Sequence, residues 1–266
     1  MGLEFSSFAS GSSGNCYMVR SEGTVLLVDV GIAGKHVIAG LREHGHEPEH
    51  VDGILITHEH TDHIKSIRMM GRKAVNAVVY GSHGTLAEID ELLPAGRAMR
   101  IVPDEDFAVG DIEVRAFDLC HDAAEPTGFS IRSGGRQVTV VTDTGCITDK
   151  IFGEMLKADL LVLEANHEVA ILRMSSYTFE LKQRILGDTG HLSNEAAGKL
   201  LCELLKQRKT EKIPKIMLAH ISNENNTPEH ARMTINNILF EKDFMDGRDY
   251  ELSVIPRSEV SAMIKV

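Results

Sequence analysis

No stretch of the chain approaches the ~20 apolar residues a bilayer-spanning helix requires, and the longest apolar runs, such as residues 160–163, are far shorter. No basic-then-apolar segment opens the sequence, so a cytoplasmic protein without a membrane partner is expected. Cysteine is sparse. Cys16, Cys120, Cys146 and Cys202 are scattered without a Cys-x-x-Cys pair, a pattern expected of buried thiols in a reducing compartment rather than of a disulfide framework or a zinc-thiolate site. Positive charge is also in deficit: 28 Lys+Arg against 39 Asp+Glu give a formal net charge of −11 with histidine neutral, which excludes a generic basic nucleic-acid binder. Neither low-complexity linkers nor solenoid-length repeats divide the chain, and 42% hydrophobic with 25% charged residues excludes disorder. At 266 residues the chain is long enough to form an ample core without staples.

Short apolar, β-branched runs predict strands at 3–8, 16–20, 24–29, 53–57, 77–80, 100–102, 112–119, 127–132, 137–142, 160–163, 215–218 and 252–255. Helical periodicity and end signals predict helices at 34–44, 64–70, 82–92, from 149, 179–185, 194–207 and 228–239. Strands and helices occur in both halves with no linker between them. Two sheets packed face to face with helices on both outer faces, as one domain over 1–266, is the economical arrangement.

Histidine is what the chain has in excess, with 13 residues. His58, His60, Asp62 and His63 place four metal donors within the segment Thr57-His58-Glu59-His60-Thr61-Asp62-His63, between a predicted strand and a predicted helix. His58 and His60 alternate on an extended end and project together, whereas Asp62 and His63 lie on the turn beyond; two metals rather than one are the expected guests. Two shells need further donors. His121, Asp143 and His220 each terminate an apolar run, where ligands gather at the edge of layered α/β sheets. His36, His44, His46, His50, His83 and His230 lack partners at ligand spacing and read as structural or exposed.

The His-x-His-x-Asp-His segment, with Leu27-Val28-Asp29-Val30-Gly31 before it and His121, Asp143 and His220 after it, resembles the metallo-β-lactamase fold superfamily. Ser10-Gly11-Ser12-Ser13-Gly14-Asn15, Glu164-Ala165-Asn166-His167, the stretch 181–194 and the stretch 219–226 are similar to the YycJ/WalJ group, which is associated with DNA exonuclease activity. The resemblance implies a four-layer αβ/βα sandwich. It implies one metal on His58, His60 and His121, a second on Asp62, His63 and His220, and Asp143 bridging, with Asp62 and Asp143 serving catalysis as well as ligation. Zinc is the default, and manganese, iron and nickel also suit such a shell.

By the same resemblance Asp29 orients the ligand loop, His191 protonates the leaving oxygen or bonds phosphate, and Glu164 either orients His191 or is an ordinary strand-end carboxylate. The loop holding Ser12, Ser13 and Asn15 is either a flexible turn or a phosphate cradle. His167, Lys182 and Arg184 are further substrate-contact candidates, the last two as part of a basic rim with Arg173 that offsets the acidic body near DNA. The activity expected is a dinuclear metal-dependent phosphodiesterase, a DNA exonuclease in which water activated by the cations attacks phosphorus and His191 assists the leaving group. The alternatives are hydrolysis of a small cyclic or nucleotide phosphodiester or a thioester, and a noncatalytic metal sensor.

Overall fold

A computed structural model describes residues 2–210 and 212–266. In chain order its strands are β1 (Glu4–Ala9), β2 (Cys16–Arg20), β3 (Val25–Val28), β4 (Gly53–Leu55), β5 (Val78–Gly81), β6 (Ala98–Arg100), β7 (Asp106–Val109), β8 (Ile112–Asp118), β9 (Thr127–Ser133), β10 (Arg136–Val141), β11 (Leu160–Glu164), β12 (Lys215–Ala219), β13 (Glu251–Val254) and β14 (Ile264–Lys265). The helices are α1 (Gly34–Glu43), α2 (Thr61–Ile64), α3 (Ile67–Lys73), α4 (His83–Ile89), α5 (Asp149–Lys157), α6 (Val169–Met174), α7 (Phe179–Leu186), α8 (Asn194–Gln207) and α9 (Pro228–Phe240). Two compact units result: one takes the chain up to Asp118, then Ala123–Gln137 and Pro256–Val266, and the other takes Leu119–Asp122 and Val138–Ile255.

In the first unit a seven-stranded sheet runs in the order β14-β1-β2-β3-β4-β5-β6. Its β14-β1-β2-β3 half is antiparallel, so β2 and β3 need only the short turn at 21–24, while β3-β4-β5-β6 is parallel and is reached through α1 to α4. Phe8, Met18, Leu27 and Ile54 of the sheet bury against Val37 and Leu41 of α1 and Met70 of α3. Strands β7, β8 and β9 form an antiparallel set in this unit, with Phe107 opposite Val114 and Val114 opposite Ile131.

In the second unit β10, β11, β12 and β13 are all parallel. Parallel strands covered on both faces carry continuous apolar runs, and every residue of β11 is buried. Register then fixes the site: Val141 pairs with Leu163, Leu163 with Leu218, and Glu164 with Ala219. The carboxyl ends of these strands are therefore level, and the residues just beyond them, Asp143 and His220, emerge beside Glu164 on one edge. In the first unit Val28 pairs with Leu55, which levels Asp29 with the entry to the histidine segment.

Four elements depart from the sequence expectation. Strands β7 and β14 and helix α6 are short and carried no clear period, and the helix expected over 64–70 is split where Ser66 Oγ donates to the Val30 carbonyl at 2.9 Å. Cysteine is a correction: Cys120 and Cys146 are joined as a disulfide with a Cα separation of 5.7 Å, and only Cys16 and Cys202 are the free buried thiols expected. The pair is separated by 26 positions in the chain and meets because the loops after β8 and β10 reach the same edge, which no local spacing signals.

Candidate metal centre

Three backbone segments of the first unit pack directly on one another to present the histidine motif. Asn15 N–H donates to the Asp62 carbonyl at 2.8 Å, Val30 N–H to the His63 carbonyl at 2.8 Å, and Gly31 N–H to the Asn15 carbonyl at 2.8 Å. Only glycine permits that approach: a Cβ on Gly31 would lie 1.6 Å from the Asp62 carbonyl oxygen, and one on Gly14 would lie 2.6 Å from the Gly31 carbonyl oxygen. Asn15 is buried. Its amide accepts from Gly11 N–H at 3.0 Å and its Nδ2 stands 3.2 Å from His63 Nε2, so it serves the ligand loop, whereas Ser12 and Ser13 are exposed at the loop tip.

His58, His60 and His63 cluster, with ring centroids 4.6 Å apart for His58 and His60 and 4.1 Å for His58 and His63. Asp62 Oδ2 lies 3.6 Å from His63 Nε2. Glu59, inside the same motif, turns away and accepts from Ala124 N–H at 2.8 Å. Behind the cluster Asp29 is fully buried: it accepts from Thr57 N–H at 2.9 Å, from Thr57 Oγ1 at 2.9 Å and from His63 Nδ1 at 2.8 Å. Thr57 Oγ1, having donated to Asp29, accepts from His58 Nδ1 at 3.0 Å. Burial raises the Asp29 pKa above its ordinary value, more than the charge and hydrogen bond of His63 lower it.

In the second unit Asp143 Oδ1 stands 3.5 Å from His220 Nε2, 3.7 Å from His191 Nδ1 and 3.9 Å from His121 Nε2. Glu164 is the hub. Its Oε1 accepts from His191 Nδ1 and from His220 Nδ1, both at 2.8 Å, and its Oε2 accepts from Thr144 and Leu192 N–H, both at 3.1 Å. Its two oxygens thus accept four hydrogen bonds from the protein, while lying within 4.8 Å of donor atoms on Asp143, His191 and His220. Burial opposes its charge, but the two imidazoles outweigh burial and hold the carboxyl well below the ordinary range. The His191 pKa is raised in turn: burial disfavours the cation, and the charge and hydrogen bond of Glu164, with Asp143 adding, overcome that cost. His121 donates from Nδ1 to the Gly190 carbonyl at 3.2 Å.

These bonds test whether the residues suit metal ions. His58, His63, His121 and His220 all have Nδ1 engaged by a protein oxygen, which fixes the tautomer with its lone pair on Nε2, the arrangement typical of ligating histidines; at His63 that lone pair faces the Asn15 amide in this structure. The donor set fits divalent cations. Backbone geometry agrees, since Asp29, Asp143 and His220 take φ values of 58°, 61° and 51°, a left-handed conformation uncommon outside glycine and concentrated at functional sites.

The remaining candidates are placed differently. Lys182 Nζ donates to the carbonyls of Arg173 at 2.9 Å and Ser175 at 2.6 Å, and Arg184 pairs with Asp122 beside His121. His167 is buried with no hydrogen-bond partner on either ring nitrogen among the described residues, and burial pushes it down to about 4.

Residues 24–212 match the model of the β-lactamase superfamily domain. The chain is 38% identical to exodeoxyribonuclease YycJ of Bacillus anthracis over 95% of both proteins, and 37% identical to exodeoxyribonuclease WalJ of Streptococcus pneumoniae over 95% of this chain and 94% of that one. This chain belongs to the metallo-β-lactamase superfamily, in the YycJ/WalJ group. Among solved structures, the metallo-β-lactamase fold protein YhfI from Bacillus subtilis matches 98% of this chain and 99% of its own at a TM-score of 0.73, with 17% identity, a likeness of fold. The α/β sandwich expected from the sequence is thus the superfamily's fold, and its His/Asp clusters suit divalent metal ions. Among the described residues no helix is long and apolar enough to cross a membrane.

Proposed function

We propose that the chain is a metal-dependent phosphodiesterase acting as an exodeoxyribonuclease. The observation that carries this reading is Glu164 holding His191 and His220 at the same distance: a sensor needs its ligands oriented, but has no use for a separate, charge-stabilised imidazole beside them. Membership of the YycJ/WalJ group and the exodeoxyribonuclease relatives support DNA as the substrate. Coverage of nearly the whole of those relatives supports reading residues 1–266 as one domain of which the two units are parts.

In this reading His58, His60 and His121 would hold one divalent cation and Asp62, His63 and His220 a second, with Asp143 as a further ligand. Bound divalent cations supply Lewis acidity to the scissile phosphate and acidify a water for attack on phosphorus. The chain's own residues do the rest. Asp29 and Thr57 keep the Nδ1 atoms of His63 and His58 protonated, Glu164 does so for His220, and the Gly190 carbonyl for His121. Glu164 also holds His191 by Nδ1, leaving Nε2 of a partly exposed ring to deliver a proton to the departing sugar oxygen. Ser12 and Ser13 at the exposed loop tip, with the outer faces of Lys182 and Arg184, are the proposed phosphate contacts.

The test is a substrate panel. Protein loaded separately with zinc and manganese is offered end-labelled linear duplex DNA, covalently closed circular DNA, RNA and bis(p-nitrophenyl) phosphate. Mononucleotide release from linear DNA with the circle left intact is the expected result. Equal cutting of circle and linear duplex removes the end-directed reading, turnover of the small ester alone makes a small phosphodiester the substrate, and no turnover with metal retained leaves the sensor.

A further inference from the structure

We propose that Cys120 and Cys146 form a reversible redox modification site that sets how firmly the loops bearing His121 and Asp143 are held. Cys120 directly precedes His121 and Cys146 follows Asp143 by three positions, so the bridge joins two loops that each carry a site residue. The Cα separation of 5.7 Å lies in the range a disulfide requires without backbone movement. Both cysteines are half-buried, within reach of a soluble thiol or disulfide. Cys16 and Cys202 differ: they are buried, and burial pushes both of their thiols up, so they stay inert.

The bridge sits at the head of a short ladder that ends on Glu164. Gly145 N–H donates to the Cys120 carbonyl at 2.9 Å, Cys120 N–H to Thr144 Oγ1 at 3.2 Å, Thr144 Oγ1 to the Cys146 carbonyl at 2.7 Å, and Thr144 N–H to Glu164 Oε2 at 3.1 Å. On its other side the Asp143 loop has no slack, since a Cβ on Gly145 would lie 2.3 Å from the Gly187 carbonyl oxygen. The disulfide is therefore the one covalent tie in a set of hydrogen bonds that positions His121, Asp143 and Glu164 together. Opening it leaves those loops to hydrogen bonds alone.

The chemistry is thiol–disulfide exchange with a low-molecular-weight thiol. A thiol sulfur attacks one bridge sulfur, forming a mixed disulfide and releasing the other cysteine; a second thiol then releases the first, so that one protein disulfide and two thiols become two protein thiols and one small disulfide. Oxidation is the reverse, with a glutathione-type disulfide as the acceptor of the two electrons. The consequence for metal retention rests on the metal-centre reading above, whereas the redox site itself does not.

The test uses the full chain loaded with zinc and divided in two, one part equilibrated with glutathione disulfide and the other reduced with a phosphine, both desalted without air. Alkylation under denaturing conditions, read by mass, should find two reactive thiols in the oxidised protein and four in the reduced one. Reduction should speed zinc transfer to a chromogenic chelator by about tenfold, the scale of lost outer support at a metal site, and lower the melting temperature by roughly 5–10 °C. Cys146→Ser should behave as reduced protein under both treatments; the wild-type comparison carries the test if that variant fails to fold. Four reactive thiols after oxidation, or equal zinc transfer and equal melting in both states, would overturn the proposal. Protein that binds no zinc yet forms the bridge and shifts its melting temperature would remove the metal reading and leave the redox site standing.

Discussion

Asp29 in the first unit and Glu164 in the second do the same work with different electrostatics. Both are fully buried carboxylates at the carboxyl ends of parallel strands, and both accept from a histidine Nδ1 at 2.8 Å. Asp29 serves one imidazole and otherwise bonds to Thr57, and burial wins, so its pKa is raised. Glu164 serves two imidazoles and two backbone N–H groups, and there burial loses and the pKa falls. A second imidazole partner goes with the opposite direction of shift, and the same Glu164 carboxylate raises the His191 pKa.

The largest expected effect follows from removing that second partner's support. In Glu164→Gln one of the two side-chain positions becomes NH2, and it must face either two imidazole N–H groups or two backbone N–H groups; neither orientation is satisfied. Turnover of linear DNA should fall on the order of 10³-fold or more, combining a mispositioned proton donor with a weakened ligand. Zinc content and DNA turnover measured together check this. A variant within tenfold of the parent on both would mean that Glu164 is a strand-end carboxylate with no part in the site.

His191→Ala isolates one of the two imidazoles. Metal content should stay at the parent's level while phosphodiester turnover drops by roughly 10²–10⁴-fold, with bis(p-nitrophenyl) phosphate much less affected because its leaving group barely needs a proton. Equal losses on both substrates would reassign His191 to positioning, and loss of metal would make it a ligand.

Asp29→Asn should be milder, about 10–100-fold in zinc affinity, because a single imidazole is involved and the amide can still accept from Thr57 N–H while His63 adjusts. The two carboxamides compared in one chelator titration decide the contrast. If Asp29→Asn releases zinc more readily than Glu164→Gln, the count of imidazoles served is the wrong measure and local packing governs instead.

The same contrast explains what was legible in the sequence. The first unit's candidate donors lie within residues 57–63 because one turn from β4 into α2 presents them all, so their clustering was readable from spacing. Of the second unit's candidate donors, Asp143 and His220 follow and Glu164 ends three parallel strands whose register levels their ends, whereas His121 follows the antiparallel strand β8; only the polar residue at the end of each apolar run hinted at them. The left-handed backbone of Asp29, Asp143 and His220 carried no glycine to mark it. Asn15 looked like a phosphate contact from its loop, yet it turns inward to hold His63; the roles of Gly14 and Gly31 in that close approach become visible only when three distant segments meet. Lys182 and Arg184 formed the basic cluster nearest the His191 motif, but their nearest partners are carbonyls at the end of α6 and Asp122.

His167 supplies the smallest effect, since it is the buried histidine near Glu164 that neither carboxylate supports by a hydrogen bond. Burial lowers its pKa to about 4, against the slight opposing pull of Glu164, so the folded protein keeps it neutral where an unfolded chain, titrating near 6.5, takes up a proton. Between those values the unfolded state binds more protons, so stability is full above pH 6.5 and is lost as pH falls, by about 1.4 kcal/mol per pH unit at most. His167→Leu removes that titration. Urea midpoints at pH 6.5 and 5.5 should therefore fall less in the variant than in the parent, the difference corresponding to about fivefold in the folding constant, whereas equal falls would show that His167 takes up its proton in the folded protein as readily as an exposed histidine does. Its neighbour His191, held by Glu164, has its pKa moved in the opposite direction, so the pair measures what one buried carboxylate hydrogen bond does to an imidazole in the same unit.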